Sequence, residues 1–339
     1  MSQEPAVWFP AIRVETGTDV FTERLAEGLR QRGLRAEITW LPRRAEYAPW
    51  TVSAPQAPAW ANITHVNTWL RPRFWPRHLP IMATIHHAAH HPDARVYKGV
   101  ARALYHGRWI APNERRVLRR ADQVVAVSQF VADTARQTLL DVPMQVIYNG
   151  VDIEVFRPGG ERGRAGKPFR LLYVGGWKKM KGVDLLAPIM RELGDGFVLR
   201  YTGGSDPVAD KLQMPPNMRD LGRLSGDAAV AAAMQDADAL LFPSRSEGFG
   251  LVAAEAMASG LPVIATSGSS LTEVVDDGVT GLLCPQGDAQ AFASAARALA
   301  TDATRYARLS EAARRRVELR FSTQAMLDGY IHAYRACLP

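Results

Sequence analysis

Residues 239–263 constrain the fold more tightly than any other stretch of this chain. Ala239-Leu240-Leu241-Phe242 is a short apolar run that reads as a strand. It ends at Pro243, which has no amide to offer a sheet ladder. Gly248 and Gly250 then bracket Phe249, and a helix of small residues is expected from about Leu251 to Ser259. Gly260 and Pro262 stop it in the usual order. Strand, glycine loop and helix in this sequence leave the amides of Leu251 and Val252 free at a helix start, an arrangement suited to phosphate. Glu247 stands in the loop, and Glu255 follows within a helix otherwise made of Ala, Val, Leu and Met. A carboxylate only accepts hydrogen bonds, so each can take two neighbouring hydroxyls of a sugar. Phosphate in the middle with sugar hydroxyls on either side describes a nucleotide sugar.

In full, residues 243–263 resemble the signature of the retaining glycosyltransferases of family 4, which reads roughly P-S-x-x-E-G-F-G-L-x-x-x-E-A-M-A-x-G-x-P-V. Glu247 and Glu255 occupy its two glutamate positions, the E-x7-E motif. The resemblance implies a GT-B fold: α/β, with two Rossmann-like doubly wound domains facing each other across a cleft. It also implies that Glu255 holds the ribose diol and Glu247 the transferred sugar. Gly248, Phe249, Gly250, Leu251 and Val252 would then line the donor phosphates.

The chain's 339 residues suffice for two domains of ordinary size, and 47% hydrophobic with 22% charged residues is a globular composition. Two cysteines, Cys284 and Cys337, form neither a disulfide framework nor a metal pattern, which suits a reducing cytoplasm. Glu4, Arg13, Glu15 and Asp19 break up the opening residues, and no uncharged apolar run is long enough to span a bilayer. The net charge of +7 belongs to the first half. Residues 1–165 carry 22 Lys+Arg against 15 Asp+Glu, and the rest carry 19 of each. Seven of the eight tryptophans lie there too. That half is expected to meet an anionic acceptor or an anionic membrane surface, with Arg71, Arg73, Phe74, Trp75 and Arg77 as the foremost candidates. Arg-rich solvated faces over Trp-containing cores are the plainer alternative.

Along the first half, Val7–Ile12 reads as the opening strand. A turn at 15–19 and a helix ended by Gly33 follow, a Rossmann-like start. Against the family's G-G-x-E turn, Gly17 supplies one glycine, Thr16 replaces the other and Asp19 stands for the acid. Residues 41–62 read as loops around a short strand, and 71–78 are too proline-rich for a helix. A strand at 79–85 leads into His86, His87, His90 and His91. A metal reading lacks any recognised ligand spacing. The resemblance instead places His86 at the histidine of T-x-H-D, facing the donor sugar, with His87 in place of the Asp. An Arg-studded helical region at 97–120, then 121–128 and 146–152, continue the family pattern. The domain linker is expected within 156–168.

The second half opens on a strand at 169–174 and the loop Gly175-Gly176-Trp177-Lys178-Lys179-Met180-Lys181-Gly182. The family reads V-G-R-x-x-x-E-K-G here, its Arg and Lys gripping the diphosphate. Lys181 and Gly182 match; Gly176 stands at the Arg position and Met180 at the Glu position. Lys178 or Lys179 is expected to supply the missing cation, as a point charge without the bidentate grip of Arg. Gly203 and Gly204 follow the strand 197–201, and Arg223 falls where the resemblance puts the nucleobase. Residues 288–318 should be helical. The domains expected are 1–160 for the acceptor, 161–320 for the donor, and 321–339 as a helix crossing back to the first.

The function expected is therefore transfer of a hexose, with retention, from a nucleotide diphosphate sugar to a glycan or lipid-linked acceptor, in cell-surface polysaccharide or glycolipid assembly. His86, Lys181 and Glu247 form the catalytic group. The protein should be cytoplasmic, peripheral at the inner membrane face, and need no cofactor and no metal. The alternatives are a GT-B protein that binds a nucleotide sugar without turnover and a basic nucleic-acid-binding protein. The second lacks any recognised module, and neither glycine turn gives the G-x-G-x-x-G of a dinucleotide-binding dehydrogenase.

Overall fold

The computed structural model describes residues 3–92, 97, 99–159, 168–203 and 214–338. The chain divides into two compact units. One comprises residues 1–150 with 323–339, the other residues 151–322. The passage from the first unit to the second thus falls before the stretch 156–168, of which residues 160–167 lie outside the described residues.

The first unit is built on a parallel sheet of β1 (Ala6–Ile12), β2 (Arg35–Leu41), β3 (Ile63–Asn67), β4 (Ile81–Ile85), β5 (Gln123–Ala126) and β6 (Gln145–Val146), ordered β2-β1-β3-β4-β5-β6. Its central strands are buried along their whole length, as parallel strands covered on both faces must be. On one face Phe21, Leu25 and Leu29 of the helix Gly17–Gln31 pack with Leu327, Tyr330 and Tyr334 of the helix Thr323–Cys337. Gly150 permits that second helix its close approach, because a Cβ there would stand 2.6 Å from Thr323 Cα. The opposite face takes Leu70, Phe74, Trp75 and Val117. Phe74 is fully buried and Trp75 nearly so, which corrects the expectation that these two rings meet a partner or a membrane. The 71–78 segment makes only the short turn Pro72–Phe74. Among the described residues the stretch 42–62 holds no strand, only the helix Arg44–Tyr47 and the turn Pro49–Thr51.

The second unit repeats the plan with β7 (Phe169–Tyr173), β8 (Phe197–Tyr201), β9 (Met218–Asp220), β10 (Ala239–Phe242), β11 (Val263–Thr266) and β12 (Gly281–Cys284), all parallel, ordered β12-β11-β10-β7-β8-β9. Leu171, Leu199, Leu241 and Ile264 pack against Leu186, Ile189 and Met190 of the helix Val183–Leu193 and Phe292 and Ala296 of the helix Ala289–Thr301. The strand order reverses between β7 and β10. In a doubly wound sheet the loops leaving two such strands diverge and leave a crevice for a ligand. The glycine loop 174–182 and the loop 243–250 are those two loops.

Candidate donor site

The β7 and β10 loops of the second unit are locked to each other by glycine geometry and by one arginine. Gly182 sits at φ 72°, and a Cβ there would fall 2.0 Å from the Pro243 carbonyl oxygen. Only glycine lets the turn Lys179–Lys181 lie against Pro243. The Arg245 amide donates to the Met180 carbonyl at 2.9 Å. Its guanidinium donates to both carboxylate oxygens of Asp184, at 2.6 and 2.8 Å, and to the Lys179 carbonyl. These ties set Lys181 Nζ 2.7 Å from Glu247 Oε1. The pair is mostly shielded, with side chains 27% and 11% exposed. Ser269 and Ser270 hold the backbone of Glu247 from the far side. The Glu247 amide donates to Ser269 Oγ at 3.2 Å, and Ser270 Oγ donates to the Glu247 carbonyl at 3.1 Å.

Gly250 caps the helix Leu251–Ala258 at φ 93°, with Leu271 Cδ2 2.7 Å from where a Cβ would lie. The half-buried Leu251 and Val252 open the helix, where amides have no intrahelical acceptor. Glu255 is buried one turn further on. Phe249 departs from the expectation of a ligand contact. Its ring is 3% exposed and meets Phe321 edge-on at 5.4 Å, so the side chain packs in the core.

Beside these loops lies a cavity of about 590 Å³ lined by Gly175, Gly176, Trp177, Thr202, Gly203, Gly222, Arg223, Leu224 and Val230 among others. Thr202 Oγ1 accepts from the Gly175 amide at 2.9 Å, and Asp220 Oδ1 accepts from the amides of Gly203 and Gly222 at 3.1 and 2.7 Å. The walls are thus fixed by side chains that the sequence did not single out. The buried Tyr173 hydroxyl donates to the Gly176 carbonyl at 3.1 Å. Burial, reinforced by the charge of Glu247, raises the Tyr173 pKa, so this phenol stays a neutral donor. Gly176 is exposed and a Cβ there would meet nothing within 4 Å. Lys178 and Lys179 are exposed as well. Gly204 lies outside the described residues.

The remaining expected residues belong to the first unit. Gly17 opens the helix Gly17–Gln31, and Asp19 locks the turn before it by accepting from the amides of Val14 and Glu15 at 2.9 and 2.8 Å. His86 is buried, donates from Nε2 to Asn67 Oδ1 at 2.8 Å, and packs edge-on against Phe21 at 4.6 Å. Burial, with the neighbouring His87 and His65, holds its pKa well below the ordinary histidine value; the ring is neutral. The four histidines do not converge: His90 bonds Glu114 Oε2 at 2.7 Å and His91 packs on Phe130. Among the described residues no group of three or more His, Cys, Asp and Glu is placed to hold a metal.

Two doubly wound units, one with a lysine–glutamate pair and a helix start at its switch point, define a two-domain α/β protein. The family follows from comparison with known proteins. Residues 160–316 match the family model described as glycosyl transferases group 1, and residues 16–155 that of glycosyltransferase family 4. Glycogen synthase of Mycobacterium tuberculosis is 30% identical over 321 residues, 91% of this chain and 72% of that protein. An uncharacterised glycosyltransferase of Methanocaldococcus jannaschii is 32% identical over 208 residues; the match covers 60% of this chain and spans 54% of that relative's length. Sucrose-phosphate synthase of Thermosynechococcus elongatus has the same fold, with TM-score 0.79 at 20% identity over 98% of this chain and 99% of its own. HepE of Anabaena, solved in complex with UDP-glucose, superimposes with TM-score 0.73 at 18% identity over 98% of this chain and 100% of its own. The chain belongs to the glycosyltransferases of this group, and its fold is GT-B.

Proposed function

We propose that this glycosyltransferase moves a hexose from a nucleoside diphosphate sugar to a glycan or lipid-linked acceptor with retention at the anomeric carbon. The observation that carries the reading is the 2.7 Å contact of Lys181 with Glu247 at the switch point. It puts a cation for the diphosphate and a carboxylate for the sugar hydroxyls side by side, next to the helix start at Leu251. The cavity bounded by Trp177, Gly203 and Arg223 is of a size for a nucleoside, and the Anabaena relative in its complex holds UDP-glucose.

On this reading the bond from the anomeric carbon to the leaving phosphate oxygen breaks as the acceptor oxygen bonds to the same carbon. The acceptor proton passes to that phosphate oxygen. Lys181 and the amides of Leu251 and Val252 stabilise the charge that develops on the diphosphate, while Glu247 and Glu255 hold sugar and ribose hydroxyls. Once the donor is bound, Lys181 exchanges part of its contact with Glu247 for the phosphate. His86 of the first unit, fixed by Asn67, keeps an uncharged ring.

The open space at Gly176 favours a second reading, a protein that binds a nucleotide sugar without turning it over. Incubation with UDP-, GDP-, ADP- and dTDP-hexoses, followed by NMR of the anomeric proton, separates the two. Slow hydrolysis or transfer giving the donor's own anomer is the expected result. An inverted product removes the retaining mechanism, and binding with no turnover on any donor and acceptor favours the second reading.

A further inference from the structure

Apart from Val20, 37% exposed on the helix Gly17–Gln31, the large apolar side chains left exposed among the described residues of the first unit fall in two segments. Tyr47 is 54% exposed and Trp50 67%; Val100 is 79% and Leu104 55%. Hydrogen bonds tie the segments together: Tyr105 Oη donates to Glu46 Oε1 at 2.9 Å and Trp109 Nε1 to the Glu46 carbonyl at 3.0 Å. Tyr47 and Leu104 are the chain neighbours of the two residues joined by the first of these bonds. Val100 and Leu104 lie one turn apart on the helix Val100–Tyr105, hence on one face of it. The helix continues through a π turn at His106–Ile110, which falls just before Pro112 and spares the chain the hydrogen bond a proline cannot make.

Charge around these residues is one-sided. Arg43, Arg44 and Arg108 are exposed. Arg71 stacks its guanidinium over the Trp109 ring at 4.1 Å, and Arg73 donates to the Val52 carbonyl at 3.3 Å, which brings both beside the same two segments. Within residues 42–52 the sole acid is Glu46, already engaged by Tyr105, and residues 97–112 contain none. Aromatic and aliphatic side chains ringed by arginine match the layered chemistry of a bilayer interface, apolar below and anionic above.

We propose that the first unit docks on an anionic membrane surface, inserting Tyr47, Trp50, Val100 and Leu104 between lipid headgroups while the arginines hold the phosphates. The proposal goes beyond the transfer reading and does not depend on it, since none of these residues lies at the donor site. The test is co-sedimentation of the full chain with vesicles of phosphatidylcholine alone, or with about one phosphatidylglycerol in three. Binding should require the anionic lipid and weaken about ten-fold between roughly 0.05 and 0.5 M salt. The double variant Trp50→Ser/Leu104→Ser should lower binding about ten-fold or more, and Arg43→Glu/Arg44→Glu should lower it on anionic vesicles. Equal thermal unfolding and equal nucleotide binding in wild type and variants exclude a folding defect. Equal binding to both vesicle types, no binding to either, or an undiminished double variant overturns the proposal. So does a wild-type dimer that the double variant dissolves, because the face is then a contact between copies.

Discussion

Gly176 carries the sharpest consequence at the scale of single residues. The resembling family has an arginine there, and this chain has open space with no positive-φ constraint. Gly176→Arg should fold normally and tighten nucleoside diphosphate binding about ten-fold, the scale of one charge-assisted contact. Calorimetry of the variant against wild type checks this; unchanged affinity would mean that the diphosphate does not pass Gly176. Glu255 is the complementary case. Its buried carboxylate in the helix Leu251–Ala258 should hold the ribose diol, so Glu255→Ala should weaken nucleotide binding by roughly ten-fold or more. Loss of turnover with unchanged affinity would place its role elsewhere.

At the scale of elements, the β7 and β10 loops act as one piece. Gly182→Ala would press a methyl group into the Pro243 carbonyl at a left-handed φ, costing on the order of 1–3 kcal/mol. It should lower the midpoint of thermal unfolding and weaken donor binding together. Arg245→Ala removes the bonds to Asp184 and the Lys179 carbonyl across the loop and should lower turnover by loosening Lys181. These elements differ in how far the sequence disclosed them. The strand Ala239–Phe242 was legible because a fully buried parallel strand is an uninterrupted apolar run. The helix start at Leu251 was legible because glycine geometry is local. The Arg245–Asp184 bond was not, since it joins residues 61 apart in the chain and an Arg or Asp in a sequence looks like any other. Phe74, Trp75 and Phe249 misled for a related reason: an aromatic beside arginines or glycines reads as a contact, and only packing against Val117 or Phe321 shows it to be core.

At the scale of the whole molecule, each unit answers to conditions in its own way. His65 lies in the first unit's core, with Nδ1 2.6 Å from the Tyr334 hydroxyl and Nε2 2.7 Å from Thr84 Oγ1. Burial takes its pKa from 6.5 to about 3. Folding therefore depresses this histidine's pKa, so above 6.5 both states are neutral and no stability depends on it. Below 6.5 the unfolded chain takes up a proton that the folded one refuses, and stability falls steadily toward pH 3. Hydrogen exchange in the helix Thr323–Cys337 should accordingly speed up as pH drops through this window, after correction for intrinsic rates. The steepening should be smaller in His65→Gln, whose overall protection will be lower but flatter with pH. Equal pH slopes in the two proteins would assign the acid sensitivity to other groups. The second unit has no buried histidine of this kind among its described residues. Its response should instead be to ligand: a nucleoside diphosphate bound at the switch point stabilises it by mass action.

Donor binding by Lys181 and Glu247 is tested most directly by calorimetric titration of UDP, GDP, ADP and dTDP into wild type and Lys181→Ala. Wild type should bind at least one of these diphosphates, and Lys181→Ala should bind it about ten-fold more weakly or worse while unfolding at a similar temperature. Equal affinity in the two proteins, or no binding of any of the four by wild type, would contradict donor binding by this pair.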